Sequence, residues 1–141
     1  MVSLLIILSL FILVCLSAIA EAGMDKLQFH FYESIFSNKR HKYWNPSISW
    51  SNKYKDGDPE KGEAFPFSTT LLVCLTDGWH CLKLIKNTTI FAAIFMAMLL
   101  IVNGFIAAFA FIIVLRAAYG YLFQLCFETI FSLKNKNTDE R

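Results

Sequence analysis

Asp77 and His80 are the residues in this chain whose types and spacing could do chemistry. On a helix that turns about 100° per residue, a carboxylate three positions before an imidazole shares its side, and Lys83 continues that side one step further. An Asp–His pair can fix an imidazole tautomer and pass a proton through it, and an adjacent ammonium can attract a phosphate. Cys74 and Cys81 flank Asp77 at i−3 and i+4. All of this stands in the apolar stretch 67–85, FSTTLLVCLTDGWHCLKLI. A charge at mid-bilayer costs roughly 3 kcal/mol or more, so the polar centre of such a segment must face other helices, water or a ligand.

Three arrangements would satisfy it. Asp77 and His80 can pair with each other and with Arg116 or Glu128 of the last helix, holding a bundle together. They can instead form a proton relay, a lipid-headgroup site or a hydrolase-like site, with Lys83 drawing in phosphate. Or the pair and a cysteine can hold a metal. The third is the poorest fit: the histidines are His30, His41 and His80, no H-x-x-x-H or C-x-x-C occurs, and zinc wants four ligands. No metal and no cofactor is expected. Ser68 and Thr76 lie nearby, but no G-x-S-x-G frames a nucleophile. The leading expectation is a small, non-enzymatic accessory or oligomeric subunit; the alternative is a site of the second kind at Asp77, His80 and Lys83.

The elements that carry these residues follow from hydrophobicity. The 141 residues are 56% hydrophobic and 17% charged, against about a quarter charged in soluble domains. The runs 1–20 and 87–115 hold no charged side chain, and each exceeds or matches the 20 or so residues that cross a bilayer. The expected fold is all-α: a single membrane domain, 1–141, of about three transmembrane helices with an aromatic, polar interfacial loop. The helices are expected at 2–22, 67–85 and 88–133, with an interfacial segment and loop over 23–66. The last helix, at 1.5 Å per residue, would reach about 65 Å and must bend, most easily at Gly120. A competing reading of the N-terminus is a signal peptide cleaved after Ala20, from the apolar core 4–16 and the Ala18-Ile19-Ala20 pattern; no Lys or Arg precedes that core. Bulky Leu13-Val14 before Cys15 argues against lipid attachment there.

Residues 38–66 hold all three prolines and the turn signal Asp56-Gly57-Asp58-Pro59. Trp44 and Trp50 set amphipathic rings beside polar neighbours, which suits a loop anchored among headgroups. Basic residues at 26, 39, 40, 42, 53, 55 and 61 alternate with acids, and the net charge is +2, so no nucleic-acid surface is expected. Counting Lys and Arg in loops places 25–64 and the C-terminus together on the cytoplasmic side, with Lys83 and Lys86 at the opposite turn. Asn87-Thr88-Thr89 matches a glycosylation acceptor by chance so near a membrane. The four cysteines sit in apolar segments and read as small buried hydrophobes. Ala93, Ala97, Gly104 and Ala108 recur near helical spacing as a small-residue packing face. That face would serve helices of the same chain, a homo-oligomer or a larger membrane partner; the lipid bilayer is the expected surrounding.

The runs Tyr43-Trp44-Asn45-Pro46, Ile48-Ser49-Trp50, Asn52-Lys53-Tyr54 and Leu75-Thr76-Asp77-Gly78-Trp79-His80 resemble an uncharacterised group of small bacterial integral membrane proteins. Those have an aromatic W-N-P, S-W, N-K-Y loop leading into a T-D-x-W-H helix, and the similarity covers about 24–85. It implies a membrane location, brings no activity with it, and marks Trp44, Trp50, Asn52, Lys53, Asp77 and His80 as positions to probe.

Overall fold

Apolar, charge-free sequence at the start of the chain winds into α1 (Val2–Phe29), which runs seven residues beyond the expected end at 22. A computed structural model describes residues 2–101 and 104–132. Within them the protein is all-α, with three helices long and apolar enough to cross a membrane: Leu4–Phe29, Gly78–Ile101 and Phe109–Ile130. Between the first two lie the short helices α2 (His41–Trp44) and α3 (Pro46–Ser49) and a series of 3-10 turns. The second crossing is α4 (Gly78–Ile101) and the third is α5 (Phe105–Leu125), which ends in a π-helical turn over Cys126–Ile130.

Two expected boundaries move. The stretch 67–77 is not α-helical: it runs through turns and a 3-10 turn at Val73–Leu75, and α4 begins at Gly78. Side chains fix its first turn, while later amides close tight turns onto backbone carbonyls, as Thr70 and Leu72 do on Phe67. The Glu63 carboxylate accepts from the amides of Phe67 (3.0 Å) and Thr69 (3.3 Å), and Phe67 adopts a left-handed φ of 65°. Ser68 Oγ accepts from the Ala64 amide (3.1 Å) and donates to the Lys53 carbonyl (2.7 Å). Side-chain bonds of this kind compete directly with helix formation.

The second shift is at Lys86-Asn87-Thr88, where a break was expected and α4 passes straight through. Lys86 reaches Glu21 on α1, and the Thr89 hydroxyl bonds back to the carbonyls of Ile85 (2.8 Å) and Lys86 (2.9 Å). The polar residues are therefore satisfied without leaving the helix. The long apolar run is divided near Gly104 instead, whose backbone is non-helical (φ 160°, ψ 106°). Length explains the division. The 24 residues of α4 and 21 of α5 span about 36 and 32 Å, each close to the roughly 30 Å hydrocarbon core. A single helix over 88–133 would overshoot it twofold. Gly120 lies inside α5, and the departure from regular helix comes later, in the π turn.

Small residues on α1 let the helices approach. Ser17, Ala18, Ala20, Ala22 and Gly23 are buried, and a Cβ on Gly23 would lie 2.9 Å from Leu82 Cδ1 of α4. The expected small-residue face on one last helix is thereby corrected. Ala93 (buried) and Ala97 belong to α4, Gly104 is exposed between the helices, and Ala108 belongs to α5. Close approach is instead made by α1, where Gly23 meets Leu82 of α4 and Phe131.

One end of the three helices carries a folded cap. Its core is Leu27, Phe31 and Phe36, with Ile35, Trp44, Trp79, Leu82 and Phe131 packed against it, so all three crossings contribute. Phe36 stacks on Trp44 with ring centroids 4.9 Å apart. The Ile35 amide donates to the Phe131 carbonyl (2.9 Å), and Ser34 pairs with Ser132. The loop and the end of α5 are therefore together. Lys83 and Lys86, expected at the far turn, lie in the first turns of α4 on the cap side. The basic tail residues Lys134, Lys136 and Arg141 are outside the described residues.

Candidate functional site

The start of α4 is built by its own sequence. Asp77 precedes the first helical residue, and its Oδ1 accepts the His80 amide at 2.9 Å, the bond an N-cap makes to the third residue of a helix. Its Oδ2 takes the His80 ring Nδ1 (2.7 Å) and the Thr76 hydroxyl (3.2 Å). The Asp77 side chain is 3% exposed and that of His80 27%. A carboxylate at a helix N-terminus also meets the positive end of the helix dipole. The two expected partners are elsewhere: Arg116 lies beside the Tyr119 ring, and Glu128 is bonded to Gln124. Asp77 and His80 thus close the cap end of α4 and do not tie it to α5.

The loop residues converge on this start. Gly78 is the place where a side chain would not fit, since a Cβ there would be 2.3 Å from Trp44 Cε3. Asn52 Nδ2 donates to the carbonyls of Lys42 and Thr76 (the latter 2.8 Å), joining the loop to the residue before the cap. Trp50 shares with Pro46, Ser49, Trp79, Asp77 and His80 a depression of about 120 Å³. Lys53 contributes its carbonyl to Ser68, while its ammonium lies 5.3 Å from the centroid of the Tyr54 ring. Lys83 is turned onto Trp79, 4.8 Å from the ring centroid. Trp44, Trp50 and Asn52 are therefore brought to Asp77 and His80, whereas Lys83 is engaged elsewhere and Ala93, Ala97, Gly104 and Ala108 belong to other parts of the fold.

An imidazole held through Nδ1 by a buried carboxylate has the orientation that general-base chemistry uses. The depression in front of it is small. Ligand pockets run from roughly 300 Å³ upward, more than twice the depression here. No group of three or more His, Cys, Asp or Glu side chains among the described residues could hold a metal.

A much larger cleft, about 900 Å³, opens on the other side of Thr76. Arg40, Lys42, Tyr43, Asn52, Tyr54 and Asp56 are among its lining residues. Tyr43 donates its hydroxyl to the Cys74 carbonyl at 3.3 Å, and burial, followed by its hydrogen bond with the Cys81 thiol, holds its phenol well above the ordinary value. Sequence reading passed over Arg40, Lys42 and Tyr43 because each looked like one more residue of a mixed-charge loop. It also passes over Glu63, and weighs Ser68 only as a nucleophile. An acid or hydroxyl within a few residues of Pro66 was the available signal, since such side chains bind turn amides.

The chain is an all-α membrane protein of three crossings with a folded aromatic cap at one end. No protein-family model, curated protein or solved structure matches it.

Proposed function

We propose that this is a non-enzymatic accessory subunit, one that works beside further copies of itself or within a larger membrane assembly. The observation that carries the reading is how little the crossings cover one another. Only 22%, 6% and 11% of the three apolar windows are buried, in chain order. Phe91, Phe95 and Met98 of α4 and Ile106, Phe109 and Ile113 of α5 all point outward. The chain is knit tightly at its cap and leaves most of its intramembrane surface uncovered by its own helices. The Asp77–His80 pair fits the same reading, because the three donors on its carboxylate come from Thr76 and His80 and serve the helix start. Lys and Arg enrichment of the loop puts the cap on the cytoplasmic face.

The test is photo-crosslinking in native membranes from a reactive residue placed at Phe95, which is exposed, or at Ala93, which is buried. A subunit gives a discrete protein adduct from position 95 and none from 93, and Asp77→Asn/His80→Ala leaves that adduct in place. Adducts to lipid alone from position 95 would remove the basis of the proposal.

A further inference from the structure

We infer that the 900 Å³ cleft beside Thr76 receives the phosphate of an anionic phospholipid, with Arg40 and Lys42 as its charge partners. Charge comes first. Arg40 and Lys42 are both exposed, both line the cleft, and neither has a carboxylate within 4.0 Å among the described residues. Asp56 also lines it, but Lys61 holds that carboxylate at 3.2 Å. Two unopposed cations therefore face a cleft whose acid is already neutralised. A guanidinium offers a planar fork of donors that matches phosphate oxygens, and an ammonium adds a mobile point charge.

Position points to lipid as the source. The cleft is not walled by polar groups alone; Ile48, Phe65 and Leu75 also line it. From Phe65 the chain runs on to the start of α4 through Phe67, Leu71 and Leu75, which are 58%, 77% and 63% exposed. Side chains of this size, left outward next to the end of a membrane-spanning helix, belong at the boundary between headgroups and acyl chains. A lipid with its phosphate between Arg40 and Lys42 would lay its glycerol and chains over these side chains. A free phosphate would use the two cations and leave the exposed apolar residues unexplained. The inference does not depend on the subunit reading, since either a lone or an assembled chain presents this cleft to its own leaflet.

The experiment uses the full chain in mild detergent, offered phosphatidylglycerol and phosphatidylcholine in equal amounts, with bound lipid counted by native mass spectrometry. Retention of phosphatidylglycerol is expected to exceed that of phosphatidylcholine by about tenfold, given that one basic residue near an anionic surface contributes several-fold. Arg40→Gln/Lys42→Gln should abolish the preference. Lys39→Gln/Lys55→Gln, which removes the same charge from exposed loop positions outside the cleft, should keep it. Tryptophan fluorescence on heating checks that both variants retain the cap. Equal loss in the two double variants would mean diffuse surface charge and overturn the site. Displacement of the bound lipid by millimolar inorganic phosphate, or no preference in the unmodified chain, would overturn the lipid as its occupant.

Discussion

Replacing Asp77 separates a helix-capping carboxylate from a chemically active one. Asp77→Ala removes the bond to the His80 amide at 2.9 Å, and a lost N-cap costs about 1 kcal/mol. It also strips the His80 ring (2.7 Å) and the Thr76 hydroxyl (3.2 Å) of a shared acceptor. The hydroxyl keeps its 2.7 Å bond to the Val73 carbonyl, and the partly exposed ring can turn to water, so this second loss adds about 1 kcal/mol. The total, about 2 kcal/mol, should lower the thermal transition of the cap by roughly 5 °C. Asp77→Asn is the informative partner. Asn caps helices about as well as Asp, so only the charge-dependent part is lost, about 0.3–1 kcal/mol. Intrinsic fluorescence is suited to the measurement, because Trp44, Trp50 and Trp79 all lie in the cap or against it. If Asp77→Asn is as damaging as Asp77→Ala, or if Asp77→Ala costs nothing, the capping account is wrong.

Three further perturbations test separate parts of the fold. Gly78→Ala forces a Cβ to 2.3 Å from Trp44 and should cost about 2 kcal/mol by overpacking; combined with Trp44→Ala it should become harmless, a coupling measurable by circular dichroism on heating. Ser17 Oγ is buried with no hydrogen-bond partner among the described residues, so Ser17→Ala should leave thermal stability unchanged or raise it by up to about 1 kcal/mol, and a clear loss would reveal a partner for the hydroxyl. The third concerns pH. The Thr69 hydroxyl first, then the Phe67 amide, holds the Glu63 carboxyl below its ordinary 4.5. With the folded value below the unfolded one, its contribution to the 63–69 turn is complete above pH 4.5 and fades as pH falls through the lowered value. The Thr69 amide resonance should shift in that acid window in the wild type and stay still in Glu63→Gln.

Much of this protein is legible before any coordinates. Charge-free runs at 1–20 and 87–115 specify membrane crossings, because no other environment accepts twenty consecutive apolar residues on an exposed helix. Trp44, Trp50 and Asn52 are marked by the resemblance of the loop motifs, and they do reach the start of α4. The sequence also carries the local device at Asp77, since an aspartate three residues before His80 and directly before Gly78 is an N-cap pattern. Hydropathy averaged over 67–85 hides it inside an apparent spanning helix.

Tertiary structure decided what local pattern leaves open. Apolar residues from 88 to 115 are compatible with one long helix or two crossings, and the thickness of the bilayer, acting on the whole run, selects the break near Gly104. Polar residues at Lys86 and Thr89 look like a break until Glu21 of α1 and the helix's own carbonyls are there to receive them. Whether α-helix can begin at 67 depends on Glu63 and Ser68, whose bonds to the amides of Phe67 and Ala64 require a particular folding-back of the loop. Arg40 and Lys42 come to line one cleft with Thr76 because the loop folds back, with Asn52 bonded to the carbonyls of both Lys42 and Thr76. Hydrophobicity is additive along a chain and can be read from it; the pairing of polar groups is a relation between distant residues and exists only in the fold.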